Sequence, residues 1–205
     1  RIEKAPAERR FNEVRQLARA VLFDYHDAIK DLPGATPVRE RLVKDALVYL
    51  DGLASEAGGD PALQRELATA YERVGDVRGQ PYGASLGDSA GALESYEKAL
   101  VLREQLLASS PNDFQTKREL ASSYRNVGNR LLQTDQANRG LENLKKALAL
   151  LEEIVSERPD EVEARYDLAR TYNDLGLALE DFADISGALA HHRKALPLRE
   201  EFQAA

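Results

Sequence analysis

The 205-residue chain is predicted to be all-α, a right-handed superhelical solenoid of about eight antiparallel helices joined by short turns. Three observations predict it. Apolar residues recur at steps of three and four along nearly the whole chain, the pattern of one buried helix face. No segment alternates apolar and polar residues long enough to form a strand. Two blocks also recur in register. LATAYERVG at 67–75 returns as LASSYRNVG at 120–128 and LARTYNDLG at 168–176. KALVLREQL at 98–106 returns as KALALLEEI at 146–154 and KALPLREEF at 194–202. A helical unit repeated at fixed spacing buries its apolar face on its neighbours, so the period decides the fold.

The elements follow in order. Phe11, Val14, Leu17, Val21, Tyr25, Ala28, Ile29 and Leu32 form one stripe, a first helix. Thr36 and Pro37 fit the cap and first position of a second helix, with the stripe Val38, Leu42, Val43, Ala46, Leu47, Leu50 and Leu53. The recurring blocks supply the remaining helices in pairs. Ala99, Ala147 and Ala195 lie 48 and 48 residues apart, whereas Gly75, Gly128 and Gly176 lie 53 and 48 apart. The extra five residues locate an insertion. It falls in VGDVRGQPYGASLGDSAGALESY at 74–96, which carries five of the thirteen glycines.

That stretch has the composition of a phosphate-binding loop without its parts. No strand precedes it, and no Lys-Ser/Thr follows a glycine there. It reads as a helix-to-helix turn lengthened by five residues. A Gly-rich turn still presents backbone N–H groups to an anion, so Tyr82, Ser85 and Asp88 are candidates for a small-ligand site at 79–88. Asp88 would repel an anion and is better placed to cap the next helix.

Within the blocks, Tyr71-Val74-Gly75, Tyr124-Val127-Gly128 and Tyr172-Leu175-Gly176 stand on first helices. Ala92-Tyr96-Ala99, Gly140-Leu144-Ala147 and Ala188-His192-Ala195 stand on second helices, with Pro111 and Pro159 following the first two units. This pattern resembles the tetratricopeptide (TPR) repeat, in which small residues let two helices approach and a larger side chain fills the gap beside them. The family's usual period is about 34 residues, and here it is 48. Helices lengthened by about two turns each account for the difference. The resemblance implies three repeats at 61–110, 111–158 and 159–205, preceded over 1–60 by a degenerate hairpin or cap. In that first unit LARAV at 17–21 and DALVYL at 45–50 sit at the repeat positions, but Val21 replaces the tyrosine and no glycine follows.

Residues 8–77, continuing through GQPYGASLGD, further resemble the segment that follows the membrane helix in bacterial, notably acidobacterial, eukaryote-like serine/threonine kinases. The resemblance implies a non-catalytic sensor or docking region of a receptor-like kinase, lying on the extracytoplasmic side of a bacterial membrane. Without that link the cytoplasm is the expected compartment. The first residue is Arg1, and the chain is expected to be part of a longer protein. It contains no Gly-rich strand loop, His-Arg-Asp or Asp-Phe-Gly of a kinase.

Composition narrows the chemistry. A net charge of −7 argues against nucleic acid, which needs clustered Lys and Arg. The absence of cysteine removes disulfides and thiol chemistry. No apolar run is long enough to enter a membrane. The histidines are His26, His191 and His192, without a zinc-binding His-Glu-x-x-His. His192 takes an aromatic packing position, while His191 is expected to be solvated. Ser109-Ser110 reads as a helix end before Pro111. No residues make a recognisable catalytic set, so neither an enzyme nor a cofactor is expected.

Binding has candidates. With the tyrosines and glycines facing the core, residues one and five after each tyrosine turn to the other side of the first helix. These are Glu72 and Asp76, Arg125 and Asn129, and Asn173 and Leu177; Thr69, Ser122 and Arg170 share that side. In TPR folds this side lines a groove, so the resemblance implies a protein or peptide ligand there. The alternatives are self-association through the terminal hairpins, or ligand sensing at the 79–88 loop. Pro197, where the earlier units have Val101 and Ala149, is expected to kink the last helix near Leu196. The final hairpin is expected to expose an apolar side, and further repeats are expected after it.

Overall fold

The computed structural model describes residues 28, 29, 32, 34–56, 60–79 and 85–203. Among them the regular structure is entirely α-helical. Seven helices follow one another: α1 (Thr36–Glu56), α2 (Pro61–Gly79), α3 (Ser89–Ser109), α4 (Phe114–Leu131), α5 (Ala137–Glu157), α6 (Val162–Asp181) and α7 (Ile185–Gln203). They are long, from 18 residues in α4 to 21 in α5. The first helix expected over 11–32 lies outside the described residues, apart from Ala28, Ile29 and Leu32.

Local signals set the boundaries. Asp60, Asp88, Asp113 and Asp184 each turn a carboxylate back onto an N–H of the first turn: Ala62, Gly91, Gln115 and Gly187, respectively. An aspartate in this place satisfies a donor the helix cannot, and its charge suits the helix N-terminus. The α1 start differs by one residue from the sequence expectation. The Ala35 carbonyl accepts from Arg39 N–H, so Ala35 is the cap and Thr36-Pro37 form the first turn. Val38 is exposed; Ala46, Leu50 and Leu53 carry the buried face of α1.

Helices pack as successive hairpins: α2 with α3, α4 with α5 and α6 with α7. Each first helix is held on two sides. Leu63, Leu67, Ala68, Tyr71 and Val74 of α2 share a core with Ala46, Leu50 and Leu53 of α1 and Ala99 of α3. Leu168 and Tyr172 of α6 repeat this with Leu151 and Ile154 of α5 and Ala195 of α7. The turn of each hairpin depends on close approach at glycine. A Cβ on Gly75 would sit 2.7 Å from the Tyr96 ring, and one on Gly176 would sit 2.4 Å from the His192 ring. His192 therefore packs as the sequence indicates. His191 does not point to solvent: its ring lies 5.8 Å from that of Tyr172, and Nδ1 is buried without a partner.

α7 continues through Pro197 to Gln203. The proline does not end the helix because it lies on an exposed side. There the Arg193 carbonyl, which loses its N–H partner, can turn to water.

Candidate functional site

α2, α4 and α6 are the first helices of the three hairpins, and polar side chains bridge one to the next. Arg65 of α2 reaches Asp113 and Thr116 at 2.7 Å each and Glu119 at 2.9 Å. Arg118, at the same register one unit on, pairs with Glu163 of α6 and approaches Asp167 at 3.9 Å. Glu72 of α2 accepts from Asn126 of α4 at 2.6 Å, and Asn129 donates to Asp174 of α6 at 2.9 Å. The repeat places like residues at like heights, so side chains one register apart meet across neighbouring helices.

The sequence-predicted residues divide on this surface. Glu72, Asp76 and Asn129 already have partners. Glu72 also accepts from Arg103 at 2.6 Å, and Asp76 accepts from the Tyr96 hydroxyl at 2.7 Å. Burial holds the Asp76 carboxyl above its usual range despite that bond. Thr69 is exposed and its hydroxyl bonds back to the Arg65 carbonyl. Ser122 and Asn173 are half-buried, Leu177 is exposed, and Arg170 is exposed with its guanidinium over the Tyr166 ring.

Arg125 is the distinctive member. It is 9% exposed, and its ion pair with Asp174 is a long one, 3.9 Å from Nε. Burial lowers its guanidinium pKa, and Arg170 adds repulsion against the attraction of Asp174 and Asp167. Asp167 is also largely enclosed, and burial raises its carboxyl. The middle of this face thus holds a desolvated cation whose hydrogen-bonding capacity is poorly used, between half-buried Ser122 and Asn173 and exposed Arg170.

Sequence reasoning missed Arg65, Arg103, Asn126, Asp167 and Asp174. The signal for Arg65 was present, since Arg118 stands 53 residues on at the same repeat position. Arg103 had one as well, since Arg199 stands at the same place two units on, although Leu151 occupies the unit between them.

At the 79–88 loop, Tyr82 lies outside the described residues. Leu86 N–H bonds to the Val77 carbonyl and Asp88 N–H to the Arg78 carbonyl, closing the base of the loop onto the end of α2. Asp88 caps α3 and accepts from Arg78 at 2.8 Å. Ser85 is half-buried. Among the described residues no cluster of His, Cys, Asp or Glu is arranged for a metal ion. Among them, too, no helix is long and apolar enough to cross a membrane.

Residues 168–201, from the middle of α6 to near the end of α7, match the tetratricopeptide repeat family. No curated protein matches the sequence. Among solved structures, a MamA protein is 18% identical over 93% of this chain and 94% of that one, with a TM-score of 0.36. A MamA chain from position 41 to its end, from Desulfovibrio magneticus RS-1, is 20% identical over 90% and 96%, with a TM-score of 0.31. Likeness at those scores carries no argument about function.

Proposed function

We propose that the face built by α2, α4 and α6 binds a polypeptide segment, and that the chain works as a non-catalytic docking scaffold. Arg125 carries the reading. A buried guanidinium keeps its charge at a desolvation cost, and a short bond to an acceptor offsets that cost. Among the described residues none gives Arg125 such a short bond, and a ligand carboxylate or backbone carbonyl would supply it. Thr69, Ser122, Arg170 and Asn173 flank it as further contacts, while Glu72, Asp76 and Asn129 hold the helices that frame the site. Stacked helical hairpins offer an extended surface of this kind for a peptide.

Selection of a random peptide library on the immobilised chain tests the proposal. Enriched peptides should lose binding to Arg125→Glu and weaken on Arg170→Glu, and should be indifferent to Arg158→Glu, which lies in the α5–α6 turn. Peptides that bind all three variants alike would contradict it.

The finer proposal is that this scaffold serves a bacterial receptor-like serine/threonine kinase, supported by the resemblance over residues 8–77. The reading frame upstream of Arg1 tests it. An apolar span of about twenty residues preceded by kinase motifs supports the link; a frame with neither removes it.

A further inference from the structure

The charged groups between α4 and α6 divide by whether they have a short partner. Glu72 accepts from Arg103 and Asn126, Asp174 accepts from Asn129, and Glu163 pairs with Arg118. Two groups are left over. Among the described residues Arg125 comes no nearer a carboxylate than 3.9 Å, to Asp174, and Asp167 no nearer a cation than 3.9 Å, to Arg118 Nε. Neither side chain has a hydrogen bond among those residues. Arg125 and Asp167 are both desolvated, and they attract one another without meeting. The register accounts for the gap. Arg118 and Arg125 are seven residues apart on α4, as Asp167 and Asp174 are on α6. Their two contacts are rungs about two turns apart, and the cation of one rung stands diagonally from the carboxylate of the other.

A ligand group entering here meets a donor and an acceptor together. A carboxylate would serve Arg125 and stand against Asp167; an ammonium would serve Asp167 and stand against Arg125. The surrounding charge is already balanced, with Arg118, Arg125 and Arg170 facing Glu163, Asp167 and Asp174. A carboxamide serves both groups, its oxygen accepting from Arg125 and its N–H donating to Asp167. It also brings no net charge into an enclosed place, where an uncompensated charge is costly. Depth selects the source. The Arg125 side chain is 10% exposed, so it lies below the surface that a peptide backbone crosses, and a ligand side chain reaches down to it.

We propose that Arg125 and Asp167 form a subsite for the side-chain carboxamide of a glutamine or asparagine in the bound polypeptide. The subsite rests on the docking reading above, which leaves the charge of the acceptor open. Asp167 decides it: the aspartate makes the face selective for the amide over the acid of the same shape. Specificity of this kind comes from the group that repels the wrong ligand as much as from the one that attracts the right one.

The test takes peptides selected from a random library on the immobilised chain and sensitive to Arg125→Glu. They should share a glutamine or asparagine at one position. Exchanging that residue for the matching glutamate or aspartate should weaken binding by roughly tenfold or more, as like charges brought together require. On Asp167→Asn the order should reverse, the acidic peptide binding at least as tightly as its parent because Arg125 then stands unopposed. Asp167→Asn keeps the shape of the side chain and removes a desolvated charge, so the chain should keep its helical circular dichroism. Peptides without a shared carboxamide, preference for the acid on the unaltered chain, or an order that Asp167→Asn leaves unchanged would overturn the subsite and leave the docking face standing. No enriched peptide, or peptides indifferent to Arg125→Glu, would overturn both.

Discussion

Tyr71 shows how single side chains hold this structure. Its ring fills the core between α1 and α2, its hydroxyl donates to Asp51, and Lys98 both covers the ring and bonds the same carboxylate at 2.8 Å. Burial, then the bond to Asp51, pushes the phenol well above its usual pKa, so it remains a donor across the working range. Tyr71→Phe keeps the ring and removes the hydroxyl's bond. It should lower unfolding free energy by about 1 kcal/mol in urea titration, because Asp51 retains Lys98. Gly75→Ala should cost more, about 1–3 kcal/mol, because the added methyl meets the Tyr96 ring at 2.7 Å. The tyrosines, glycines and alanines of this packing were legible in the sequence, since they recur in register. The carboxylates that accept from Tyr71, Tyr124 and Tyr172 were not singled out. They lie 20 residues before their tyrosines, far from the three- and four-residue steps at which helical pairs are sought.

Within elements, polar exceptions mark where the sequence pattern was silent. Arg103 occupies an apolar position of α3 at 4% exposure, bonded to Glu72 and to Ser123 at 2.6 Å each, with its Nε unpaired. Removing one partner of a buried ion pair leaves the other uncompensated. Arg103→Ala should therefore destabilise by about 3–5 kcal/mol, measured by urea unfolding. Leu151 fills the equivalent place in α5 with 1% exposure, so burial of position 103 was legible but the reason for its charge was not. Pro197 is the opposite case. A proline bends or ends a helix, and α7 does not end at this one. Pro197→Ala should raise stability, by up to about 3 kcal/mol, with a matching rise in thermal midpoint.

At the scale of the molecule, the hairpin order and long helices were legible because the 48-residue period is written in recurring blocks. The bridges between hairpins were not, because they depend on which side chains the stack brings level. Those bridges also set the acid response. Bonding to the Thr116 hydroxyl, then to Arg65, holds Asp113 below the usual carboxylate pKa; the stability it contributes is complete above that value and lost as pH falls through the depressed one. Asp167 has the reverse sign. Burial raises its carboxyl, so its ionised form costs stability at neutral pH, and that cost disappears as pH falls through the raised value. Asp167→Asn should therefore raise the urea midpoint at pH 7, with the gain shrinking toward zero as pH drops below the ordinary aspartate value of 3.8.

Hydrogen exchange of the chain, free and saturated with a peptide selected on it, tests the docking face most directly. Protection on binding should concentrate in the middle turns of α4 and α6 around Arg125 and Arg170, and Arg125→Glu should abolish it. Protection confined to the loop between α2 and α3, or to α7, with the α4 and α6 signals unchanged, would contradict a binding face built on the first helices.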